Sequence, residues 1–233
     1  MLSSKPQHNS AKYPPEDFDS NITKTIPYYD SFHMESIKLV KSLPYSPHVW
    51  LDTGCGTGTL IHRAARHFQN TRFLLMDPSG GMLEQAKKKL SYLPAGKIRF
   101  LDPSTTEGFF ANIDEKPDVI TAIQCHHYLN HEERIKAIAV CYELLENDGM
   151  FISFENIRPL TEKGTAIFKE YLRDFQLALG KDAHEVQKYL DRFDTEYFPI
   201  TIEEHLDLLR KAGFRTVEMF WYSYMQAGFY CIK

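Results

Sequence analysis

The stretch VWLDTGCGTGTLIHRAARHF, residues 49–68, decides how the rest of the chain is read. A short apolar run ends in Asp52, and three glycines follow at alternate positions (Gly54, Gly56, Gly58). Leu60, Ile61, Ala64, Ala65 and Phe68 then recur at helical spacing. The pattern spells strand, bare loop, helix. Glycines let the main chain turn tightly and approach a ligand with no Cβ between them. The helix start around Gly58 adds free N–H groups and the positive end of a dipole, which suits a carboxylate or a phosphate. Spacing narrows the choice. A dinucleotide fingerprint needs its third glycine where Thr59 stands, which disfavours an NAD-dependent oxidoreductase, and no Gly-Lys-Ser/Thr follows to complete a Walker loop. A carboxylate at Asp52 would repel a pyrophosphate and attract an ammonium or sulfonium ion.

Outward from this stretch the same alternation continues. The runs RFLLMD, KIRFL, DVITAI and GMFISFE read as further strands, each followed by a stretch of helical period. Met82, Leu83, Ala86 and Leu90 make one helix face, and Ile135, Ile138, Tyr142 and Leu145 another. Ser79 is placed to cap a helix, and Asn130 with Glu133 and Thr201 with Glu204 are placed as capping boxes. The fold class expected is α/β: a Rossmann-like, doubly wound, mostly parallel seven-stranded sheet. Two places break the alternation. Roughly forty-five residues separate GMFISFE from Thr201, long for a crossover. Ile167, Phe168, Tyr171, Leu172 and Phe175 recur within them, and a second helix begins near Asp182, so an inserted helical cap is expected at about residues 157–199. At the C-terminus FRTVEMFWY and QAGFYCIK are too close for anything but an antiparallel hairpin. The first twenty or so residues read as mobile. Residues 1–47 form an N-terminal segment with a lid helix around SFHMESIKLVKSL, and residues 48–233 the ligand-binding domain.

The second strand ends in Asp77, where a carboxylate can accept hydrogen bonds from ribose hydroxyls. Ribose, an amino-acid zwitterion and a cation together point to S-adenosyl-L-methionine (SAM). Here the chain resembles the class I SAM-dependent methyltransferases, through VWLDTGCGTG and the DPSGGML that follows the second strand, from about Val49 to Lys233. The resemblance implies that Gly54, Cys55, Gly56 and Gly58 line the methionine half, with Asp52 reaching the ammonium through water. It also implies that Asp77 and Pro78 hold the ribose side and Met82 packs on the adenine. Asp102 and Ser104, in RFLDPSTTE, compete to meet the adenine amine, and Gln124 lies under the methionine.

The sulfonium methyl is already activated, so the protein's work is alignment and exclusion of water. A base is needed only for a protonated acceptor. His126 and His127, Glu155 at the pocket mouth with Asn156 and Arg158, and Tyr28 or Tyr29 over the site are the candidates for catalysis or substrate contact. No base-amino methyltransferase signature (Asn-Pro-Pro-Tyr) is present, and no cysteine sits in a motif for attack on a pyrimidine. Over nearly its whole length the chain also resembles the carboxy-SAM synthase branch and its methyltransferase cousins, in FDSNITKTIPYYD, FISFENIRP and KAGF. That branch binds the added carboxylate with an arginine after a Gln-Lys pair. Here Gln187-Lys188 is followed by Tyr189 and Leu190, with Arg192 out of register, which favours plain SAM and methyl transfer.

Composition agrees with a globular enzyme: 233 residues, 43% hydrophobic, 25% charged, net charge −4. No long basic run tracks a phosphate backbone, so nucleic acid is not the expected partner. Cys55, Cys125, Cys141 and Cys231 are scattered, with no zinc spacing, so no metal is expected and the thiols read as reduced. No signal peptide or bilayer span is legible. The expectation is a cytoplasmic SAM-dependent methyltransferase of a small-molecule acceptor, releasing S-adenosyl-L-homocysteine (SAH), with a homodimer possible through the cap. A carboxy-SAM synthase-like enzyme and a non-catalytic SAM-binding protein are the alternatives.

Overall fold

Every apolar run singled out above becomes a strand in the computed structural model, which describes residue 11, residues 13–109 and residues 113–233. The strands are β1 (Val49–Thr53), β2 (Arg72–Met76), β3 (Ile98–Phe100), β4 (Val119–Ile123), β5 (Met150–Asn156), β6 (Thr216–Ser223) and β7 (Gln226–Ile232). They form one sheet in the order β3-β2-β1-β4-β5-β7-β6. All neighbours up to β5 are parallel, whereas β7 runs antiparallel to both β5 and β6. Helices cover both faces, so β1 and β4 are buried at every residue and read as unbroken apolar runs rather than alternating ones. The strand order reverses between β1 and β4, which opens a crevice beyond their carboxyl ends.

One face packs on α2 (Tyr29–Lys41), α3 (Thr59–Ala64) and α4 (Gly80–Lys89), through Phe32, Ile37, Ile61 and Ala86. The other packs on α5 (His131–Leu144) and α8 (Ile202–Lys211), through Ile138, Cys141 and Leu209. The caps form as read. Ser79 accepts from the Met82 amide, and reciprocal capping boxes close at Asn130/Glu133 and Thr201/Glu204. The sheet-facing stripe of α5 differs from the expectation. Ile135 is 43% exposed, and the buried line is Arg134, Ala137, Ile138 and Cys141. A stripe that includes an arginine is invisible to a hydrophobic-period reading.

Between β5 and α8 stand α6 (Glu162–Ala178) and α7 (Ala183–Leu190), the latter capped by Asp182, and they enclose a small core of their own around Leu172, Val186, Leu190 and Phe193. The seam is narrower than the sequence suggests. Ile167 and Tyr171 are more than half exposed, and Tyr171 stacks on Tyr224 of the β6–β7 turn at 4.1 Å. The mobile start expected of the chain falls largely on residues 1–10 and 12, outside the described residues. Downstream of them, α1 (Phe18–Ile22) is tied to the glycine loop. Asp19 accepts from Thr57 Oγ1 (2.7 Å), and Lys89 Nζ from α4 donates to Asp19 (2.6 Å) and to Thr57 (2.8 Å).

Candidate functional site

The glycine loop lies in the crevice between β1 and β4. Gly54 has φ +63°, and a Cβ there would stand 2.5 Å from the Cys125 Cβ, so the loops after β1 and β4 touch at this residue. Gly56 has φ +53°, and a Cβ there would meet nothing within 4 Å, because it would project into the open crevice. Gly58 departs from the expectation. It caps α3 and packs toward Ala86 and Leu90, away from the cavity wall. Only six residues long, α3 offers little dipole of its own, so Thr57 and Thr59 rather than a helix end furnish the polar groups here.

The crevice widens into a cavity with about 1390 Å³ of empty space, counting its open mouth. Asp52, Cys55, Asp77, Pro78, Met82 and Gln124 all line it. Asp77 Oδ2 accepts from the Gly56 amide (2.9 Å) and Oδ1 from the Ser79 amide (2.8 Å), so the carboxylate also organises the loop. Burial raises its pKa, opposed by these two amides. Asp52 is 2% exposed and accepts from Thr121 Oγ1 (2.6 Å), its partner across the sheet. At the third wall the expectation is corrected. Asp102 is exposed and neither it nor Ser104 lines the cavity; Thr105, Thr106 and Glu107 do, and Glu107 Oε2 is buried with no hydrogen-bond partner among the described residues. On the floor, Gln124 is held at φ +57°, a conformation a non-glycine residue adopts only under constraint. Its Nε2 donates to Gln226 Oε1 (2.8 Å), and its Oε1 is buried without a partner. An open cradle at Gly56, orphaned acceptors on Gln124 and Glu107, and two further buried carboxylates suit a nucleoside that carries a cation.

Residues 51–151 match a methyltransferase-domain family. The carboxy-SAM synthase of Nautilia profundicola is 23% identical over 87% of this chain and 84% of its own length. That of Campylobacter concisus is 29% identical over 86% and 84%. The N-methyltransferase NodS of Bradyrhizobium japonicum, solved with SAH, superposes with a TM-score of 0.61 at 14% identity, covering 96% of this chain and 94% of its own. The chain is thus similar to methyltransferase domains over residues 51–151 and to carboxy-SAM synthases over most of its length, and it is an enzyme that uses SAM.

The far wall of the cavity departs from the sequence reading in several places. Tyr28 is 57% exposed and packs toward Trp221 and Tyr224, while its neighbour Tyr29 lines the cavity with Phe18, Ile22 and Ile26. Glu155 does not sit at the mouth: it is 1% exposed, behind the histidines. It accepts from the His127 amide (2.9 Å) and pairs with His127 Nδ1 (3.0 Å). His126 lines the cavity too, with Nε2 3.2 Å from Thr106 Oγ1, and burial lowers its pKa to about 4. Arg158 points away and pairs with Asp194. Tyr128, beside His127, and Tyr189, Arg192 and Tyr197, from the cap and the chain after it, close the wall. Among the described residues no group of His, Cys, Asp and Glu could hold a metal, and no helix is long and apolar enough to cross a membrane.

Asp52 would make the binding of a cation beside it proton-linked. Burial, opposed by the Thr121 hydrogen bond and reinforced by the Asp77 charge, raises its pKa from 3.8 to about 7. The folded chain therefore holds a proton that the unfolded chain has lost, and this contribution to stability falls as pH rises from about 4 to 7. A cationic ligand favours the ionised carboxylate and expels that proton. Calorimetry at pH 6.5 in buffers of differing ionisation enthalpy should record release of roughly half to one proton per SAM. The release should vanish in Asp52→Asn and above pH 9, and release unchanged by that substitution would remove Asp52 from the linkage.

Proposed function

We propose that the enzyme transfers the methyl group of SAM directly to a small-molecule acceptor bound under the cap. The observation that carries this reading is the pairing of the Gly54–Gly56 cradle with the buried carboxylates of Asp77 and Asp52 in one cavity. In it Asp77 takes the ribose hydroxyls, Asp52 and Gln124 Oε1 face the ammonium, Met82 packs on the adenine, and Glu107 receives the adenine amine. SAM, when bound, supplies a methyl already activated by its sulfonium. The chain then has to seat the acceptor on the remaining wall and keep water out, and the segment containing Phe18, Ile22, Ile26 and Tyr29 roofs the cavity for that purpose. The reading is tested by titrating SAM and SAH into the protein and by screening small acceptors with methyl-labelled SAM. Micromolar binding and label in an acceptor are expected; absence of binding would overturn it.

A second reading, a carboxy-SAM synthase-like activity, is favoured by Arg192. The sequence puts this arginine out of register, yet its side chain stands in the cavity wall, 7% exposed, with Nε paired to Glu196 Oε2 (2.6 Å). An arginine there can face a carboxylate. Mass spectrometry of the nucleoside that co-purifies distinguishes the two readings, since only the second yields a carboxylated species.

A further inference from the structure

Three histidines line the cavity, and their ring nitrogens are used differently. His33 on α2 is 3% exposed, its Nδ1 is buried without a partner, and burial lowers its pKa to about 3, so it stays neutral. His126 is committed to Thr106. His127 alone couples a carboxylate on one nitrogen to the cavity on the other. Its Nδ1 meets Glu155 Oε2 at 3.0 Å, closer than the Asn156 amide at 3.5 Å, while its Nε2 has no hydrogen bond among the described residues and is not among the sealed polar atoms. The ring is fixed on all sides. The amides of His126 and His127 hold the same carboxylate, the Phe198 amide donates to the His127 carbonyl (2.7 Å), and Tyr128 and Tyr197 pack at 4.4 and 5.8 Å between centroids.

The geometry points to His127 as the general base of methyl transfer, positioned by Glu155, and so to an acceptor that arrives with its proton in place: a phenol or other hydroxyl. This rests on the methyltransferase reading above. A carboxylate on Nδ1–H fixes the tautomer that leaves Nε2 as an acceptor and stabilises the imidazolium that forms. The acceptor O–H bond breaks and its proton moves to Nε2. The oxygen lone pair makes the new C–O bond, and the methyl–sulfur bond breaks with its electron pair left on sulfur, giving neutral SAH. The imidazolium then returns its proton to solvent. Three phenol rings, Tyr128, Tyr189 and Tyr197, stand in the same wall and suit a planar acceptor. The Glu155 pKa is held down although its burial works the other way, because the carboxylate accepts a hydrogen bond from His127. The other groups facing the dyad are Tyr128 and His126 on its own turn, Tyr189 on α7, and Arg192 and Tyr197 after it. Arg134 stands on α5, and His205 on α8 is kept neutral by burial.

Nitrogen NMR of the full-length protein labelled in histidine tests the ground state without any acceptor. His127 should be protonated on Nδ1 and open on Nε2. Glu155→Gln should lower the share of that tautomer, because the carboxylate that accepts from Nδ1 is gone. A His127 protonated on Nε2 overturns the proposal. The second arm uses the hydroxyl compound that takes label in the acceptor screen. In His127→Asn, kcat should fall roughly 10²–10⁴-fold, with SAM affinity within about threefold of wild type, which also reports that the variant folds. The wild-type kcat should rise with pH to a plateau, and Glu155→Gln should shift that rise downward. Label entering only thiols or aromatic carbons, or kcat retained in His127→Asn, refutes the dyad and leaves methyl transfer standing. Failure of the wild type to bind SAM removes the underlying reading instead.

Discussion

Replacing Asp77 by alanine is expected to weaken SAM binding by roughly two to four orders of magnitude, the loss of two charge-assisted hydrogen bonds at about 1.5–3 kcal/mol each. The carboxylate stands at the end of β2 with both oxygens anchored by amides, Gly56 on one side and Ser79 on the other. Its position is therefore set before any ligand arrives, and no side-chain ordering has to be paid on binding. Asp77→Asn keeps an acceptor for one amide and loses the charge, so it should fall between wild type and alanine. Calorimetric titration of the three proteins, with circular dichroism to check that each folds, measures the series. Equal affinity in all three would mean that the ribose is held elsewhere, and the assignment of this cavity would fall with it.

The largest effect on stability is expected at Arg134. Its side chain is 1% exposed, yet it donates from Nε to the His126 carbonyl (3.3 Å) and from a terminal nitrogen to the carbonyls of Leu129 (3.2 Å) and Phe198 (2.5 Å). One fork thus ties α5 to the turn that carries the histidines and to the chain leaving the cap. Burial lowers the arginine's pKa, opposed by the charges of Glu155 and Glu204, so the cation is retained. Arg134→Met fills much of the volume but orphans the carbonyls of Leu129 and Phe198 and leaves that of His126 to the Leu129 amide alone. The expected loss is roughly 3–5 kcal/mol, or a fall in melting temperature of about 6–20 °C. Arg134→Lys, with a point charge instead of a fork, should recover only part of it. A melting temperature within about 2 °C of wild type in Arg134→Met would show that the fork ties nothing together.

What could be read ahead of the coordinates divides along the range of the interaction. The glycine loop, the strand–helix alternation, the caps at Ser79, Asn130 and Thr201 and the C-terminal hairpin are all local patterns, and the structure contains them. Long-range placements were not legible. β3 ends at Phe100, and the chain then makes several turns before Glu107 reaches the cavity, so proximity to the strand end wrongly favoured Asp102. Tyr28 takes a left-handed φ of 58° at the start of α2, which sends its ring outward and lets Tyr29 face in; adjacent tyrosines give no sign of that. His127 and Glu155 are 28 residues apart and meet only because β4 and β5 are neighbours in register. Arg192 reaches the wall through the fold of the cap, where register with any motif says little.

The strap around residues 18–29 has a consequence for turnover. It roofs the cavity and is fastened to the loop beneath through Asp19 and Lys89, whose side chains are 49% and 23% exposed. Donor exchange that passes under this strap requires that fastening to let go. A partly exposed ion pair loosens as dissolved ions screen it over a Debye length of about 8–10 Å. An enzyme paced by departure of its by-product should therefore run faster in moderate salt, and one paced by bond-making should not, so ionic strength alone separates the two regimes.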